Sequence, residues 1–350
     1  MSRIYLDHAA TTPLRPEAAE AMRQGFEQWA NPSSPHAEGR AARAALEEAR
    51  ARVKTALGWD GEVIFTSGAS EALAIGLGRA KAERRLVSAV EHDAVFRAAP
   101  DAEVLPIAEG QVDPDALDAV LARPGRAIVA IQSINSETGT VLLPHDGAPA
   151  IERVREAGGL FLADCSQSAG RVPLPDTDMI VVSSHKLGGP IGIGALLVRD
   201  VAMLEPSGGQ ERGYRTGTEN LPGALGFAAA LEVGGIECWP TSYPDRFDFK
   251  DLLRRKGEVL CPGTQCSHII AVAHERLSAA VLLIKLDAMG FAVSAGSACS
   301  SGTLKRSRAL EAFGIDEDLA NRTVRVSIGW NTTAAELDAF CEAWREVANA

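Results

Sequence analysis

Short apolar runs alternating with helical patterns dominate residues 62–199, and this alternation limits the fold more than any other feature of the chain. EVIFTS at 62–67, RLVSAV at 85–90, RAIVAIQ at 126–132, LFLADC at 160–165, MIVVSS at 179–184 and GIGALLVR at 192–199 read as strands. Between them lie amphipathic or capped stretches: ASEALAIGLGRA at 69–80, a short helix from His92 to Ala99, DPDALDAVLA from Asp113 and APAIERVREAG from Ala148. Two further helices are expected upstream, over 16–29 with Pro16 in the first turn, and over 35–57 with Gly58 as the stop. Alternating strands and helices imply a mostly parallel sheet covered on both faces.

Past Leu221 the alternation ends. A helix over 222–235 leads into the weakly periodic WPTSYPDRFDFKDLLRRKG. The strand SHIIAVA, the helix LSAAVLLIKLDAMG, the short strand FAVSA, the strand TVRVSIG and a final helix from Thr333 follow. The expected organisation is a large domain over 14–221 and a smaller α+β domain built from 1–13 with 222–350.

Net charge is −11 with no basic block, so nucleic acid is not an expected partner. No apolar run approaches the roughly 20 residues of a membrane span, and MSRIYLDHAATT lacks the layout of a signal peptide. A cytoplasmic protein is expected. The six cysteines form no CxxC pair. CPGTQC, with Cys261, Cys266 and the nearby His268, lacks a full ligand set, so ordinary loop thiols are expected rather than a metal site.

In open α/β sheets ligands bind beyond the carboxyl ends of the strands. There this chain places Thr66-Ser67, Glu91-His92, Asp164 and Ser183-Ser184-His185-Lys186. A lysine after a buried strand, beside Gly-Gly-Pro, can form a Schiff base with an aldehyde; it is equally compatible with a solvated strand end. Asp164 can hold a pyridinium nitrogen or cap a helix. Gly68, Ala69 and Ser70 open a helix where a phosphate can sit, although many β–α turns look alike. His92 can stack on a flat ring or be structural. No GxGxxG follows the first strand, which disfavours a dinucleotide-binding fold. SAGSACSSG at 294–302 sets Cys299 among small polar residues that cannot build a core face.

These motifs occur in a recognisable order: YLDHAATTP at 5–13, NPSSPHAEGR at 31–40, FTSGASEA at 65–72, EHDAV at 91–95, NSETG at 135–139, ADCSQSAG at 163–170, SSHKLGGPIGIGAL at 183–196, GGQERGYRTGTEN at 208–220, SAGSACSSG, and RVSIGWNTT at 325–333. Over almost its whole length the chain resembles cysteine desulfurases of the NifS/IscS branch, within the class V aminotransferase-like enzymes that use pyridoxal 5'-phosphate (PLP). The resemblance implies the PLP-dependent transferase fold of the aspartate-aminotransferase type and conversion of L-cysteine to L-alanine. It implies that Lys186 carries the cofactor, Asp164 holds the ring nitrogen, Gln167 the ring hydroxyl, and His92 stacks on the ring. Ser70, Ser183 and His185, with the Ala69 backbone, hold the phosphate, and Thr218 reaches it from the other subunit of a homodimer. Arg325 clamps the substrate carboxylate near Asn31. Cys299 accepts the sulfur as a persulfide and passes it to an acceptor protein. The acceptor's identity stays open, as does its pathway: iron–sulfur clusters, thiolated tRNA or another thio-cofactor.

Four departures from the branch stand out. Ser136 replaces an asparagine that commonly contacts the cofactor; that contact is lost, carried by water, or taken over by Asn135. Gln210 replaces a histidine, and Trp330 a common arginine. The chain also ends at Ala350, a shorter run beyond Cys299 than is usual in the branch, which implies an altered acceptor. Two alternatives keep their place: selenocysteine lyase or another class V lyase or aminotransferase, and a non-catalytic dimeric binding subunit.

Overall fold

The computed structural model describes residues 3–145, 147–295 and 307–349. The expected strands form as β1 (Glu62–Thr66), β2 (Arg84–Ser88), β3 (Glu103–Leu105), β4 (Ala127–Gln132), β5 (Leu160–Asp164), β6 (Met179–Ser183) and β7 (Gly194–Val198), with β3 an addition. Among the described residues they make one seven-stranded sheet in the order β1-β7-β6-β5-β4-β2-β3. β7 is antiparallel to both neighbours. The remaining pairs are parallel. Strands β4, β5 and β6 are buried at every residue, which is why they read as continuous apolar runs rather than alternating ones.

The period of two still operates inside those runs. Val129, Phe161, Ile180 and Val182 face one core. Ile128, Leu160, Leu162 and Val181 face the other. Helices α1 (Pro16–Glu27) and α2 (Ala37–Leu57) cover the first face, and α3 (Ala69–Gly78) and α4 (Asp93–Ala98) the second. α2 stops at Gly58, whose left-handed φ of 61° lets its N–H bond back to Thr55. Helices α5 (Pro114–Leu121) and α6 (Pro149–Glu156) also stand where the sequence places them.

The second sheet is antiparallel: β8 (Glu258–Val259), β9 (Ile269–Ala273), β10 (Ser294–Ala295) and β11 (Thr323–Ser327), in the order β8-β9-β11-β10. The expected strand FAVSA divides at Val293. Phe291–Ala292 pairs with Ile4–Tyr5, and Ser294–Ala295 with β11. Leu6 thereby joins a core made by Phe249, Leu282, Leu286, Phe340 and Trp344.

Helix α7 (Leu221–Glu232) departs from the expected organisation. Placed with the smaller domain from residue 222, it instead packs on α1 and α2, with Leu221, Ala224, Phe227 and Leu231 in the larger core. The sequence break at Leu221 marks the end of β/α alternation, not the end of that core. Helix α8 (Tyr243–Arg254) occupies the stretch that reads as weakly periodic. Ser242 and Asp245 form a reciprocal capping box at its start, and Phe249 and Leu253 are buried. Helices α9 (Ala279–Ala288), α10 (Arg308–Ala312), α11 (Glu317–Asn321) and α12 (Ala334–Asn349) complete the described elements, and α10 and α11 have no counterpart in the sequence reading. Among the described residues no helix is long and apolar enough to cross a membrane.

Gly194 begins β7 between Ser183 and Thr66, at the sheet edge where the conspicuous polar residues gather. A Cβ here would lie 2.7 Å from Val182 O and 2.8 Å from Gly68 Cα, both backbone atoms that cannot rotate away. Gly194→Ala should therefore cost roughly 1–3 kcal/mol, read from urea unfolding. A midpoint unchanged from wild type would show that the strand ends can spread.

Candidate active site

A cleft of about 800 Å³ opens at the carboxyl ends of β1, β2, β4, β5 and β6, and Ser294 and Arg325 of the second sheet reach it. It gathers most of the residues singled out in the sequence: Ala69, Ser70, His92, Ser136, Asp164, Gln167, Ser183, His185, Lys186 and Arg325. Asn31 and Thr218 do not line it and are exposed in this chain. Cys299 lies outside the described residues. Ser294 and Ser307, on either side of that stretch, both line the cleft.

β6 ends at Ser183, and a single 3₁₀ turn, Ser184–Lys186, presents the lysine. Its Nζ donates to Ala9 O at 2.5 Å and to Ala10 O at 2.9 Å. Burial, then the positive charges of Arg325 and Arg171, pull its pKa down to about 8. Asp164 ends β5, buried, and accepts from the Ser166 N–H at 2.9 Å. Gln167 donates its amide to Ala9 O at 2.9 Å, so its Oε1 is left buried without a protein partner.

His92 caps α4: its Nδ1 accepts from the Ala94 N–H at 3.1 Å. Burial lowers its pKa, so the ring is neutral and carries its proton on Nε2. His185 is likewise held down, to about 4, by burial and then by Lys186; its Nδ1 lies 3.1 Å from Thr11 Oγ1. Gly68, at the N-cap of α3, offers no side chain, so the first turn at Ala69 and Ser70 is open towards Ser183 and His185.

Arg325, on β11, donates to Asp7 Oδ1 at 2.8 Å and to the Ser136 carbonyl at 3.0 Å. Its Nε–H is buried and unpartnered. Ser136 thus serves Arg325 through its backbone. Asn135 is engaged in its own turn, accepting from the Glu137 and Thr138 N–H groups and donating to Val90 O. It has little left to replace an asparagine at 136. Gln210 accepts from Ser33 Oγ at 2.9 Å. Trp330 donates to Pro13 O at 2.9 Å and carries Arg15 over its ring.

A model of the aminotransferase class-V family matches residues 4–340. The chain belongs to this family. It is 37% identical to a cysteine desulfurase of Cereibacter sphaeroides, over 98% of this chain and 95% of that one. The class-V fold also aligns with a solved NifS-like protein of Rickettsia africae ESF-5 at a TM-score of 0.86 and 26% identity, covering 99% of this chain and 100% of the other. A third relative, a solved structure described as SspA in complex with cysteine, aligns at a TM-score of 0.79 and 26% identity, over 94% of this chain and 100% of that one.

Two carboxylates at or beside the cleft have no role in the sequence reading, although Glu91 is among the polar residues at the strand ends. Asp7 sits in LDHAATT and holds both Arg325 and Ser294 Oγ, the latter at 2.7 Å. Its signal was an acid directly after an apolar edge strand. Glu91 precedes His92, and burial lifts its pKa to about 8, against Ser88 Oγ at 2.5 Å and the Gln132 N–H at 2.8 Å. It is therefore neutral at pH 7, and its Oε2 is buried and unpartnered. Cys165, beside Asp164, is fully buried, and burial raises its thiol pKa to about 12, which suits a packing role. Among the described residues no cluster of His, Cys, Asp or Glu could hold a metal.

Two outcomes follow from these charges. Asp7→Asn leaves a buried guanidinium without its counterion and should cost on the order of 3 kcal/mol, measured by urea unfolding; a loss within error of zero would mean that solvent compensates Arg325. For Lys186 the sign is set by a folded pKa near 8 against an ordinary 10.5. Between those values the unfolded chain binds more protons, so stability of the cofactor-free protein rises with pH through the window. The stability advantage of Lys186→Met over wild type should shrink from pH 8 to 10.5, and a constant difference would refute the depressed amine.

Proposed function

We propose that this chain, a cysteine desulfurase like the relatives it matches, takes L-cysteine in this cleft, holds PLP on Lys186, and passes the γ-sulfur to Cys299. The observation that carries the reading is the desolvated Lys186 amine at the strand ends, facing Asp164 and Gln167. The site suits the cofactor on its own chemistry. It offers a nucleophilic amine, a buried carboxylate, an open helix N-terminus flanked by Ser183 and His185, and an unpartnered Gln167 Oε1. Bound there, PLP supplies an aldehyde carbon for the substrate amine and a pyridinium ring that withdraws electrons from Cα.

In this reading Asp164 holds the ring nitrogen and Gln167 Oε1 the ring hydroxyl. Ser70, Ser183, His185 and the Ala69 N–H take the phosphate, whose charge favours the α3 N-terminus. His92 faces the ring as a neutral imidazole and can hand over a proton at Nε2. Ser136 contributes its carbonyl to orienting Arg325 rather than a side-chain contact. Arg325 binds the substrate carboxylate through N–H groups not used by Asp7 and Ser136. The uncharged Lys186 Nζ would take the substrate Cα proton. The Cys299 thiolate attacks the substrate sulfur: an S–S bond forms, the Cβ–S bond breaks, and its electron pair remains with the carbon skeleton, which leaves as alanine. Support for Cys299 comes from its described neighbours Ser294 and Ser307 in the cleft wall.

The remaining roles belong to an assembly. We infer a homodimer in which Thr218 and Asn31, exposed in one chain, serve the site across the interface. A sulfur-acceptor protein then removes the persulfide in the cytoplasm. The large domain over 14–221 with α7 added, and the smaller domain with residues 4–7, bracket the cleft between them.

Alanine and sulfide release from L-cysteine with a reductant tests the reading. Wild type should give equal amounts of both, and Cys299→Ala little of either while keeping its bound cofactor. Unchanged turnover in Cys299→Ala would move the chemistry to a lyase route.

A further inference from the structure

Arg171 has no part in the reaction as drawn, yet its guanidinium is bonded to the lysine's own backbone carbonyl. It is 4% exposed. Nη1 donates to Gln167 O at 2.8 Å, and Nη2 donates to the Lys186 carbonyl. One side chain thus ties together the backbones of two residues assigned to the cofactor. Its third nitrogen, Nε, is buried and unpartnered, and the guanidinium lies 6.0 Å from the Trp239 ring centre.

The charge has no local counterion. Arg325 is ion-paired with Asp7 at 2.8 Å. Among the described residues no carboxylate stands within ion-pair distance of Arg171, and its two hydrogen-bond acceptors are neutral carbonyls. The imidazoles nearby do not alter this balance. His8 is held down to about 3, and His268 well below its ordinary value, by burial and then by Arg171 itself, so both are neutral. Burial lowers the pKa of Arg171 to about 10, which leaves it cationic at neutral pH.

Lys186 therefore faces two cations, Arg325 and Arg171, and two anions, Asp164 and Asp7, with His92 and His185 neutral beside it. Asp7 offsets Arg325. Arg171 is the cation left without such an offset.

We propose that Arg171 is a positioning residue for Lys186: it clamps the Lys186 and Gln167 carbonyls, and its unneutralised charge favours the uncharged amine that an aldehyde cofactor requires. This rests on the reading of Lys186 as the attachment point. The two functions of the guanidinium separate by substitution. Arg171→Gln retains N–H donors without charge, Arg171→Met fills much of the volume without either, and Arg171→Lys retains the charge.

The first measurement is a pH titration of the visible absorbance of the cofactor-loaded protein without substrate. Loss of the charge should raise the midpoint by about one pH unit, and Arg171→Lys should keep the wild-type midpoint. The second uses the cofactor-free full chain: reductive alkylation of Lys186 by a small aldehyde at pH 8, followed by peptide mapping. The same shift makes that labelling about fivefold slower in Arg171→Gln. Charge-free variants that titrate and label like wild type would overturn the proposal, as would an Arg171→Lys shift equal to that of Arg171→Gln. If glutamine is not tolerated, Arg171→Met, which removes the charge and keeps much of the volume, carries the comparison. Visible absorbance that persists in Lys186→Ala would refute the attachment point alone; the labelling arm needs no cofactor and still decides the role of Arg171.

Discussion

The lysine amine held on the Ala9 and Ala10 carbonyls ties the site together. Those carbonyls belong to an N-terminal segment whose Ile4–Tyr5 pairs with Phe291–Ala292 beside the second sheet. Lys186 belongs to the end of the first sheet. The contact therefore seats one core against the other at the point where the chemistry occurs. Gln167, donating to the same Ala9 carbonyl, adds a second tie, and Thr12 Oγ1, donating to the Lys186 carbonyl at 2.9 Å, a third. A site that straddles two cores in this way can be shaped by the packing of either.

Burial sets the protonation of nearly everything in the cleft. It makes Lys186 a weaker base, keeps His92 and His185 neutral, and makes Glu91 a neutral acid rather than a second anion beside Asp164. A carboxylate at 91 would compete with Asp164 for any cationic ring nitrogen, and the Ser88 and Gln132 donors do not outweigh its desolvation. Where a full charge is kept, as at Arg325, a carboxylate partner is built in. Arg171, like the buried Arg15 and Arg246, has no such described partner, and carbonyl oxygens supply its described acceptors.

Much of the large sheet is legible in the sequence because β4, β5 and β6 are apolar at nearly every position and run into polar residues at their ends. Helix α8 is not, because Pro244 and several charges break its apparent period, and only Arg246, Phe249 and Leu253 are buried. α10 and α11, five residues each, are too short for a period to show. α7 reads correctly as a helix but not as part of the larger core: it is apolar on nearly every face, so its sequence does not say which neighbour it buries against. Asp7 and Arg171 stayed silent because a single charged residue gives no pattern. Their meaning lies in partners 318 and 15 residues away in the chain, Arg325 and Lys186.

Residue order by itself determined that strands lead into Asp164, His92 and Lys186, that a glycine opens the helix at Ala69, and that the motifs follow one another as they do in NifS/IscS desulfurases. These are local properties, fixed by hydrophobic runs and turn chemistry. Tertiary structure alone decided which of those groups share a cleft, which carry charge there, and which carbonyls hold them. Solvent exclusion and ion pairing depend on distances between residues remote in sequence, and only the packed chain sets those distances.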